Sequence, residues 1–187
     1  MDIFSPNLIG PLIGLSEFAL LLAKRSGSGA RSADRGSLGI LWGVILASIV
    51  LAVLAANFVP QANSAWLMRL RTFGGVLCVL GLALRWYAIL YLGRYFTVNV
   101  AIAADHRVID TGPYRYVRHP SYSGSLLVFA GLGITFGNWL SLALLVVPVL
   151  LAFAWRMAIE ERALSQALGD AYVRYMARTR RLIPGIY

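Results

Sequence analysis

The stretch from Leu38 to Val59 reads LGILWGVILASIVLAVLAANFV and holds 22 residues without a charge. A helix needs about 20 mostly apolar residues to cross the hydrocarbon core of a bilayer. Only helices and closed barrels satisfy their backbone groups in lipid, so this stretch predicts a transmembrane helix. The whole chain agrees, because 59% of its 187 residues are hydrophobic and only 13% are charged. This composition excludes an ordinary soluble domain and a disordered chain, and we predict an all-α polytopic membrane protein forming one domain over 1–187.

Apolar stretches on both sides of this helix predict further spans. Ile3–Ala23 is a first span, and it is expected to be retained because it lacks the basic start of a signal peptide. It contains Glu17, a candidate partner for Arg85 inside the bilayer; a buried structural pair, or an arginine that extends to the interface, is the favoured interpretation. A third span runs from Trp66 or Phe73 to Leu92 and carries Arg85 near its inner end.

The apolar residues that follow are too many for one span. Gly137-Asn138 in their middle is typical of a turn, so we predict a helical hairpin of Ser121–Phe136 and Trp139–Ile159. From Glu160 onward a basic amphipathic helix is expected. The chain then has about five transmembrane helices, with a C-terminal hairpin and an amphipathic C-terminal helix.

The distribution of basic residues predicts the orientation in the membrane. The chain has 17 Lys and Arg against 8 Asp and Glu, a formal net charge of +9. Fourteen of the basic residues lie in the Lys24–Arg35 loop, the Gly93–Pro120 loop and the region from Arg156 to the C-terminus. Cytoplasmic loops carry such an excess, so we place the N-terminus outside and the C-terminus in the cytoplasm. The charge is attributed to anionic membrane lipids and not to nucleic acid.

The polar stretch Asp105–Gly124, DHRVIDTGPYRYVRHPSYSG, holds both histidines of the chain. Proline after His119 disfavours a helical backbone at that histidine, and Pro120 fits the first position of the next helix. Exposed amides at such a helix start attract an anion such as a carboxylate. Composition alone favours a basic, aromatic loop at the membrane interface, but the density of His, Pro and Tyr also suits a binding site.

A second polar group comprises Arg156 and Glu160, which share a helix face at the membrane boundary because they are four residues apart. They could form a plain salt bridge at the end of the last span. Ionisable residues at membrane depth are also candidates for function. The arginine could then orient a carboxylate, and the glutamate could hold an amine or ribose hydroxyls.

Five blocks of the second half agree in residues and spacing with a known family. They are HRVI at His106–Ile109, GPYRYVRHPSYSG at Gly112–Gly124, EERAL at Glu160–Leu164, GDAYVRY at Gly169–Tyr175 and RLIP at Arg181–Pro184. In these blocks the sequence closely resembles the isoprenylcysteine carboxyl methyltransferase family. The resemblance implies a membrane enzyme with its catalytic half at about 93–187. It would transfer a methyl group from S-adenosyl-L-methionine to an isoprenylcysteine-like carboxylate that enters from the bilayer, leaving S-adenosyl-L-homocysteine.

The resemblance also implies roles for individual residues. Arg156 falls where the family has an arginine that contacts the substrate, so it is the expected catalytic and substrate-binding residue. Asn99 departs from the glutamine of the eukaryotic members. The residues implied to bind the cofactor are Asn99, His106, Arg107, Val108, Ile109, Tyr114, His119, Pro120, Ser121, Tyr122 and Glu160.

Other functions remain open at this point. An NADPH-dependent sterol-type reductase and a phospholipid N-methyltransferase belong to the same superfamily, and a lipid-binding scaffold is the alternative without catalysis. The sequence EERALSQALG at Glu160–Gly169 favours methyl transfer over reduction, whereas Gly131-Leu-Gly133 has the form of a phospholipid methyltransferase cofactor motif. We predict no metal site. The short N-terminal part favours a prokaryotic inner membrane, and the sequence does not indicate an oligomeric state.

Overall fold

The computed structural model describes residues 5–23, 31–32, 36–96, 101–102 and 107–187. Helices dominate this part of the chain. The α-helices are α1 (Pro6–Ala23), α2 (Ser37–Phe58), α3 (Ala65–Arg69), α4 (Arg71–Leu92), α5 (Pro120–Thr135), α6 (Trp139–Leu168) and α7 (Asp170–Arg178). Short 3-10 helices lie at Pro60–Ala62, Gly93–Tyr95 and Gly112–Arg115, and the two-residue strands β1 (Arg31–Ser32) and β2 (Ala101–Ile102) pair antiparallel.

Three described helical segments are long and apolar enough to cross a membrane, namely Ser37–Phe58, Arg71–Tyr95 and Trp139–Leu168. This confirms a helical integral membrane protein. Helix α5 has 16 residues. At 1.5 Å per residue it is about 24 Å long, which is shorter than the hydrocarbon core of about 30 Å. The count of five spans stays a prediction.

Helices α4 and α5 pack with their backbones in contact at two pairs of glycines. A Cβ atom added to Gly74 would lie 2.7 Å from the carbonyl oxygen of Gly131, and one added to Gly81 would lie 2.6 Å from that of Gly124. Small residues let membrane helices approach closely and gain van der Waals contact. Gly133 packs in the same way against Leu142 of α6, at 2.6 Å from an added Cβ. The glycines of the Gly131-Leu-Gly133 pattern are therefore explained by helix packing.

The predicted hairpin of α5 and α6 is present, and its turn has a local cause. Gly137 has a positive φ of 68°, and the side chain of Asn138 accepts a hydrogen bond from the Ser141 amide at 3.0 Å, which starts α6. The Asn138 amide also donates to the Val59 carbonyl at 3.0 Å and to Asn63 Oδ1 at 2.8 Å. These bonds attach the hairpin turn to the end of α2.

The core lies where α6 packs against α2 and α5. Leu145, Val149, Phe153 and Met157 are buried and four residues apart, so they form one apolar face of α6. At the far end of this face the Ser141 hydroxyl donates to the Ala52 carbonyl of α2 at 2.7 Å. The register between α2 and α6 is thus fixed by a polar contact and by packing.

Helix α1 is joined to α4 by two polar contacts. Glu17 Oε2 lies 2.7 Å from Arg85 Nη2, which confirms the expected pair, and Trp86 Nε1 donates to Ser16 Oγ at 2.6 Å. An isolated charge at membrane depth is costly, so Glu17 and Arg85 stay paired. The two contacts therefore hold α1 against α4 at the level of Arg85 and Trp86.

Two helix boundaries differ from the predicted ones. The third span is divided at Leu70 into α3 and α4, and Ser64 accepts a hydrogen bond from the Leu67 amide to start α3. The expected amphipathic helix from Glu160 is not a separate element, because α6 continues without a break to Leu168. The amphipathic helix begins only at Asp170, after Gly169 with its positive φ of 56°.

Candidate active site

A cavity of about 570 Å³ lies between α1, α2, α5 and α6, and its wall changes character along these helices. One part is apolar and is lined mainly by Ile13, Leu41, Trp42, Ile45, Val128, Phe129, Leu132 and Phe153. The other part is polar, and its residues come from the segment 107–119 before α5, the start of α5, the later part of α6 and α7. They include Arg107, Tyr114, Arg118, His119, Tyr122, Arg156 and Glu160.

The turn before α5 places His119 at the cavity wall. Gly112 has a positive φ of 56° and opens the 3-10 helix Gly112–Arg115, and Pro120 is the first residue of α5, as expected. His119 precedes it with a non-helical backbone, φ −127° and ψ 57°, and its side chain is only 6% exposed. The histidine is therefore a buried residue of the site and not an exposed residue of an interface loop.

Glu160 is the centre of one group of polar side chains. Its Oε1 accepts a hydrogen bond from the Tyr122 hydroxyl at 2.5 Å and lies 3.3 Å from Arg156 Nε. Its Oε2 lies 3.6 Å from His119 Nδ1. The Arg156 side chain is 1% exposed, and its Nη1 donates to Ser37 Oγ at the start of α2. Arg156 and Glu160 thus form the expected pair, which is also held by α2 and α5.

Glu161 is the centre of a second group on a different side of α6. Its Oε1 lies 2.8 Å from Arg118 Nε and 3.2 Å from His119 Nε2, and its Oε2 lies 2.7 Å from Arg181 Nη2. The hydrogen bonds from Arg181 to Glu161 raise the pKa of that arginine above its usual range. His119 therefore stands between two adjacent carboxylates, one on each ring nitrogen.

The residues after α7, 179–187, form a strap across the start of α5. The amides of Arg118 and His119 donate to the carbonyls of Arg180 and Arg181 at 2.7 and 3.0 Å, and Ser123 Oγ donates to the Leu182 carbonyl at 2.7 Å. In this way the strap satisfies backbone groups that a helix start leaves without partners. It holds the histidine in place from outside the cavity.

Three buried tyrosines complete the polar wall. The hydroxyl of Tyr175 donates to the Tyr114 carbonyl at 2.7 Å, and that of Tyr114 donates to the Ala88 carbonyl at 3.1 Å. Burial raises the pKa of Tyr114, Tyr172 and Tyr175 well above the usual value. The phenols therefore remain protonated donors at neutral pH, and their rings can face a cation.

The structure brings together most of the residues that the resemblance implied. Pro120 is fully buried beneath the start of α5 and is absent from the cavity wall. Asn99 and His106 lie outside the described residues. The implied residues found at the cavity wall are Arg107, Val108, Ile109, Tyr114, His119, Ser121, Tyr122, Arg156 and Glu160.

Sequence reasoning missed four residues of this region, namely Ser37, Arg118, Glu161 and Arg181. The tandem Glu160-Glu161 was the available signal, because neighbours on a helix point about 100° apart and so cannot take each other's place. Ser37 gave no signal, since its contact with Arg156 depends on how α2 packs. Among the described residues, no group of three or more His, Cys, Asp or Glu side chains could hold a metal ion.

Comparison with known proteins places the chain in a family. The family model for isoprenylcysteine carboxyl methyltransferases matches residues 74–166. Protein-S-isoprenylcysteine O-methyltransferase B of Arabidopsis thaliana is 33% identical over 142 residues, which cover 75% of this chain and 71% of the relative. The chain belongs to the isoprenylcysteine carboxyl methyltransferase family. A Schizosaccharomyces pombe member, protein-S-isoprenylcysteine O-methyltransferase, is 36% identical over 112 residues, which cover 59% of this chain and 47% of the relative.

A solved structure of the same family has a similar fold. It is the eukaryotic intramembrane Ras methyltransferase, isoprenylcysteine carboxyl methyltransferase, determined without a monobody. The TM-score is 0.70 at 26% identity, and the match covers 96% of this chain and 64% of that one. The isoprenylcysteine methyltransferase fold therefore extends over α1 and α2, which precede the residues that the family model matches. The chain spans 71% of the Arabidopsis relative and about half to two thirds of the other two.

Proposed function

We propose that the protein transfers a methyl group from S-adenosyl-L-methionine to the carboxylate of a lipophilic, isoprenylcysteine-like acceptor. The observation that carries this proposal is the cavity, in which the Arg156–Glu160 pair is continuous with an apolar wall. Such a wall can take a prenyl chain, and a buried arginine can take the carboxylate at the end of it. Membership of the methyltransferase family supports the same reaction.

Arg156 would bind the acceptor carboxylate by exchanging one of its present contacts. It is 1% exposed and is engaged by Glu160 and by Ser37. A bound carboxylate that replaces Glu160 would release that side chain toward the cofactor. The two residues would then act in sequence, and an acceptor would be oriented only when the arginine is available to it.

The side chains of the polar wall fit S-adenosyl-L-methionine. The Glu160 carboxylate suits an ammonium group or ribose hydroxyls, and the Arg107 guanidinium suits a carboxylate. The faces of tyrosines such as Tyr114 and Tyr122 suit a positively charged sulfonium, by cation–π attraction. When bound, this cofactor supplies an electrophilic methyl group, and it leaves as S-adenosyl-L-homocysteine.

The residues of the chain would contribute orientation and exclusion of water. The acceptor carboxylate is ionised at neutral pH, because its unperturbed pKa is about 3.5 to 4. No general base is required, and no side chain needs to remove a proton. Arg156 would hold the nucleophilic oxygen in line, and the strap over α5 would keep water from the reacting groups.

The polar wall would face the cytoplasm. The Gly93–Pro120 loop, α7 and the strap carry most of the basic residues of the catalytic half, and cytoplasmic segments are enriched in such residues. The N-terminus would then lie outside. Assignment to a prokaryotic inner membrane stays a prediction, and the relatives named above are eukaryotic.

The first experiment is a calorimetric titration of the protein in detergent with S-adenosyl-L-homocysteine and, separately, with NADPH. We expect micromolar-range binding of the former alone. Turnover is then measured with S-farnesyl-3-mercaptopropionic acid and a radiolabelled methyl donor, with heat-treated protein as the blank. Binding of NADPH alone would assign the chain to the reductases. A folded protein that binds neither S-adenosyl-L-homocysteine nor NADPH would favour the lipid-binding scaffold.

A further inference from the structure

Among the four arginines of the cavity wall, Arg85 is the one for which neither the reaction nor the network around Glu161 has given a role. Arg85 of α4 lines the cavity together with Glu17, Ser121 and Ser125. Its Nη2 lies 2.7 Å from Glu17 Oε2, and its Nη1 donates to Ser125 Oγ at 2.6 Å and to the Ser121 carbonyl at 3.4 Å. The Arg85 and Glu17 side chains are 14% and 22% exposed. This group is therefore a second polar patch of the cavity wall, formed by α1, α4 and α5.

The guanidinium of Arg85 has donors to spare. An arginine has five N–H donors, and these three hydrogen bonds are the ones that Arg85 makes with the described residues. Its Nε is buried without a partner among them. Since Nε is enclosed by the protein, the donor that a ligand oxygen in the cavity can reach is the second N–H of Nη2, whose first N–H is bound to Glu17.

The position of Arg85 ties it to the reaction site through α5. Ser121 and Tyr122 are consecutive in the first turn of that helix. The carbonyl of Ser121 accepts from Arg85, whereas the hydroxyl of Tyr122 donates to Glu160. A molecule bound with its carboxylate at Arg156 therefore lies in the same cavity as the free donors of Arg85.

Charge decides which kind of oxygen suits this place. The charge of Arg85 is balanced by Glu17, so a second anion would leave an uncompensated negative charge in an apolar wall, which is unfavourable. An uncharged oxygen gains the hydrogen bond without that cost. This argument disfavours the carboxylate of the cofactor and that of the acceptor as partners of Arg85.

We propose that Arg85 is a specificity-determining residue, which donates a hydrogen bond to an uncharged oxygen of the acceptor, such as an amide carbonyl near the carboxylate. The inference rests on the proposed methyl transfer and assigns a residue to the amide beside the carboxylate of an isoprenylcysteine-like acceptor. Glu17 is then a positioning residue, because it neutralises Arg85 and holds its guanidinium at the wall.

A purely structural role for Arg85, as the anchor of α1, is separated from this proposal by a matched control. Trp86 also joins α4 to α1, through Ser16 at 2.6 Å, and neither of these residues lines the cavity. Trp86→Phe removes that hydrogen bond and leaves Arg85 unchanged. Any effect of loosening α1 is therefore measured without altering the proposed recognition.

The experiment compares two acceptors that differ only in an acetamido group, N-acetyl-S-farnesylcysteine and S-farnesyl-3-mercaptopropionic acid. We expect the unaltered protein to favour the former in kcat/KM by about tenfold or more, the size expected of a hydrogen bond to a charged group. Arg85→Lys keeps a cation beside Glu17 but loses the planar array of donors. It should abolish most of this preference by slowing the amide acceptor alone, whereas Trp86→Phe should change both acceptors equally.

The outcomes are distinct. A ratio between the acceptors that stays the same in Arg85→Lys, or a ratio near one in the unaltered protein, overturns the assignment of Arg85 and leaves the methyltransferase intact. Failure of the unaltered protein to methylate either acceptor overturns the proposed function and this inference with it. Binding of S-adenosyl-L-homocysteine to each variant confirms that the proteins compared are folded.

Discussion

The buried carboxylate of Glu161 is expected to be essential for stability, and Glu161→Gln tests this with little change of shape. The Glu161 side chain is 8% exposed and the Arg118 side chain 10%, so Arg118 would lose its charged partner in a buried place. Removing one member of a buried ion pair costs about 3–5 kcal/mol. Arg181 is 30% exposed, and its bond adds less than about 1 kcal/mol because solvent screens it.

The expected loss for Glu161→Gln follows from these terms. The amide of the new glutamine keeps one acceptor oxygen for Arg118. The free energy of unfolding should therefore fall by about 2–4 kcal/mol, less than the full loss of a buried ionic partner. In a chain of this size each kcal/mol corresponds to about 2–4 °C, which gives a fall in Tm of roughly 4–16 °C. The assay is thermal unfolding in detergent, followed by intrinsic tryptophan fluorescence at a fixed scan rate.

Arg162→Gln is the matched control for this substitution. It changes one charge at the next position of α6, where the side chain is exposed, and should shift Tm by less than about 2 °C. If Glu161→Gln unfolds within 2 °C of the unaltered protein, the network of Arg118, His119 and Arg181 around Glu161 does not stabilise the site as argued. A fall in Tm in Arg162→Gln of the same size would refute the reasoning equally.

Three further predictions concern the site and the packing around it. Glu160→Gln should weaken binding of S-adenosyl-L-homocysteine at least tenfold, measured by calorimetry. Arg156→Lys should reduce kcat about tenfold or more and change the affinity for S-adenosyl-L-homocysteine less than threefold. If both substitutions weaken this binding equally, the two residues do not have separate roles. Gly124→Ala should lower Tm by several degrees, because its Cβ would lie 2.6 Å from the Gly81 carbonyl, whereas Gly43→Ala, with nothing within 4 Å, should not. The raised pKa of Tyr114, Tyr172 and Tyr175 keeps these phenols protonated beyond pH 10, where an ordinary tyrosine ionises, so a spectrophotometric phenolate titration should leave at least three of the nine tyrosines protonated at pH 11, and ionisation of all nine by that pH would contradict this.

The parts of the fold that local chemistry determines could be predicted from the sequence. The hairpin turn at Gly137-Asn138 was found because a positive φ and an N-terminal cap require those residue types. Pro120 marked the start of α5 for a similar reason. The pair of Arg156 and Glu160 followed from helical spacing alone, and the structure places it in the cavity wall.

The remaining features depend on contacts between distant residues. The contact of Ser37 with Arg156 and the three partners of Glu161 arise from helix packing, which no local pattern encodes. The continuation of α6 past Glu160 was missed for another reason. The change from apolar to charged residues suggested a boundary at the membrane surface, but a helix can leave the bilayer without ending there.

That continuous helix links the active site to the thickness of the bilayer. Helix α6 has 30 residues and is about 45 Å long, and it carries both the apolar section in the membrane and the carboxylates of the site. A change in bilayer thickness would change the tilt of this apolar section, since a helix that is long for its bilayer tilts or bends to match it. Pro148, inside that section, lacks a backbone donor and offers a point of bending. Changes in bilayer thickness would then be accommodated on the N-terminal side of Pro148, while Arg156 and Glu160 keep their places against α5.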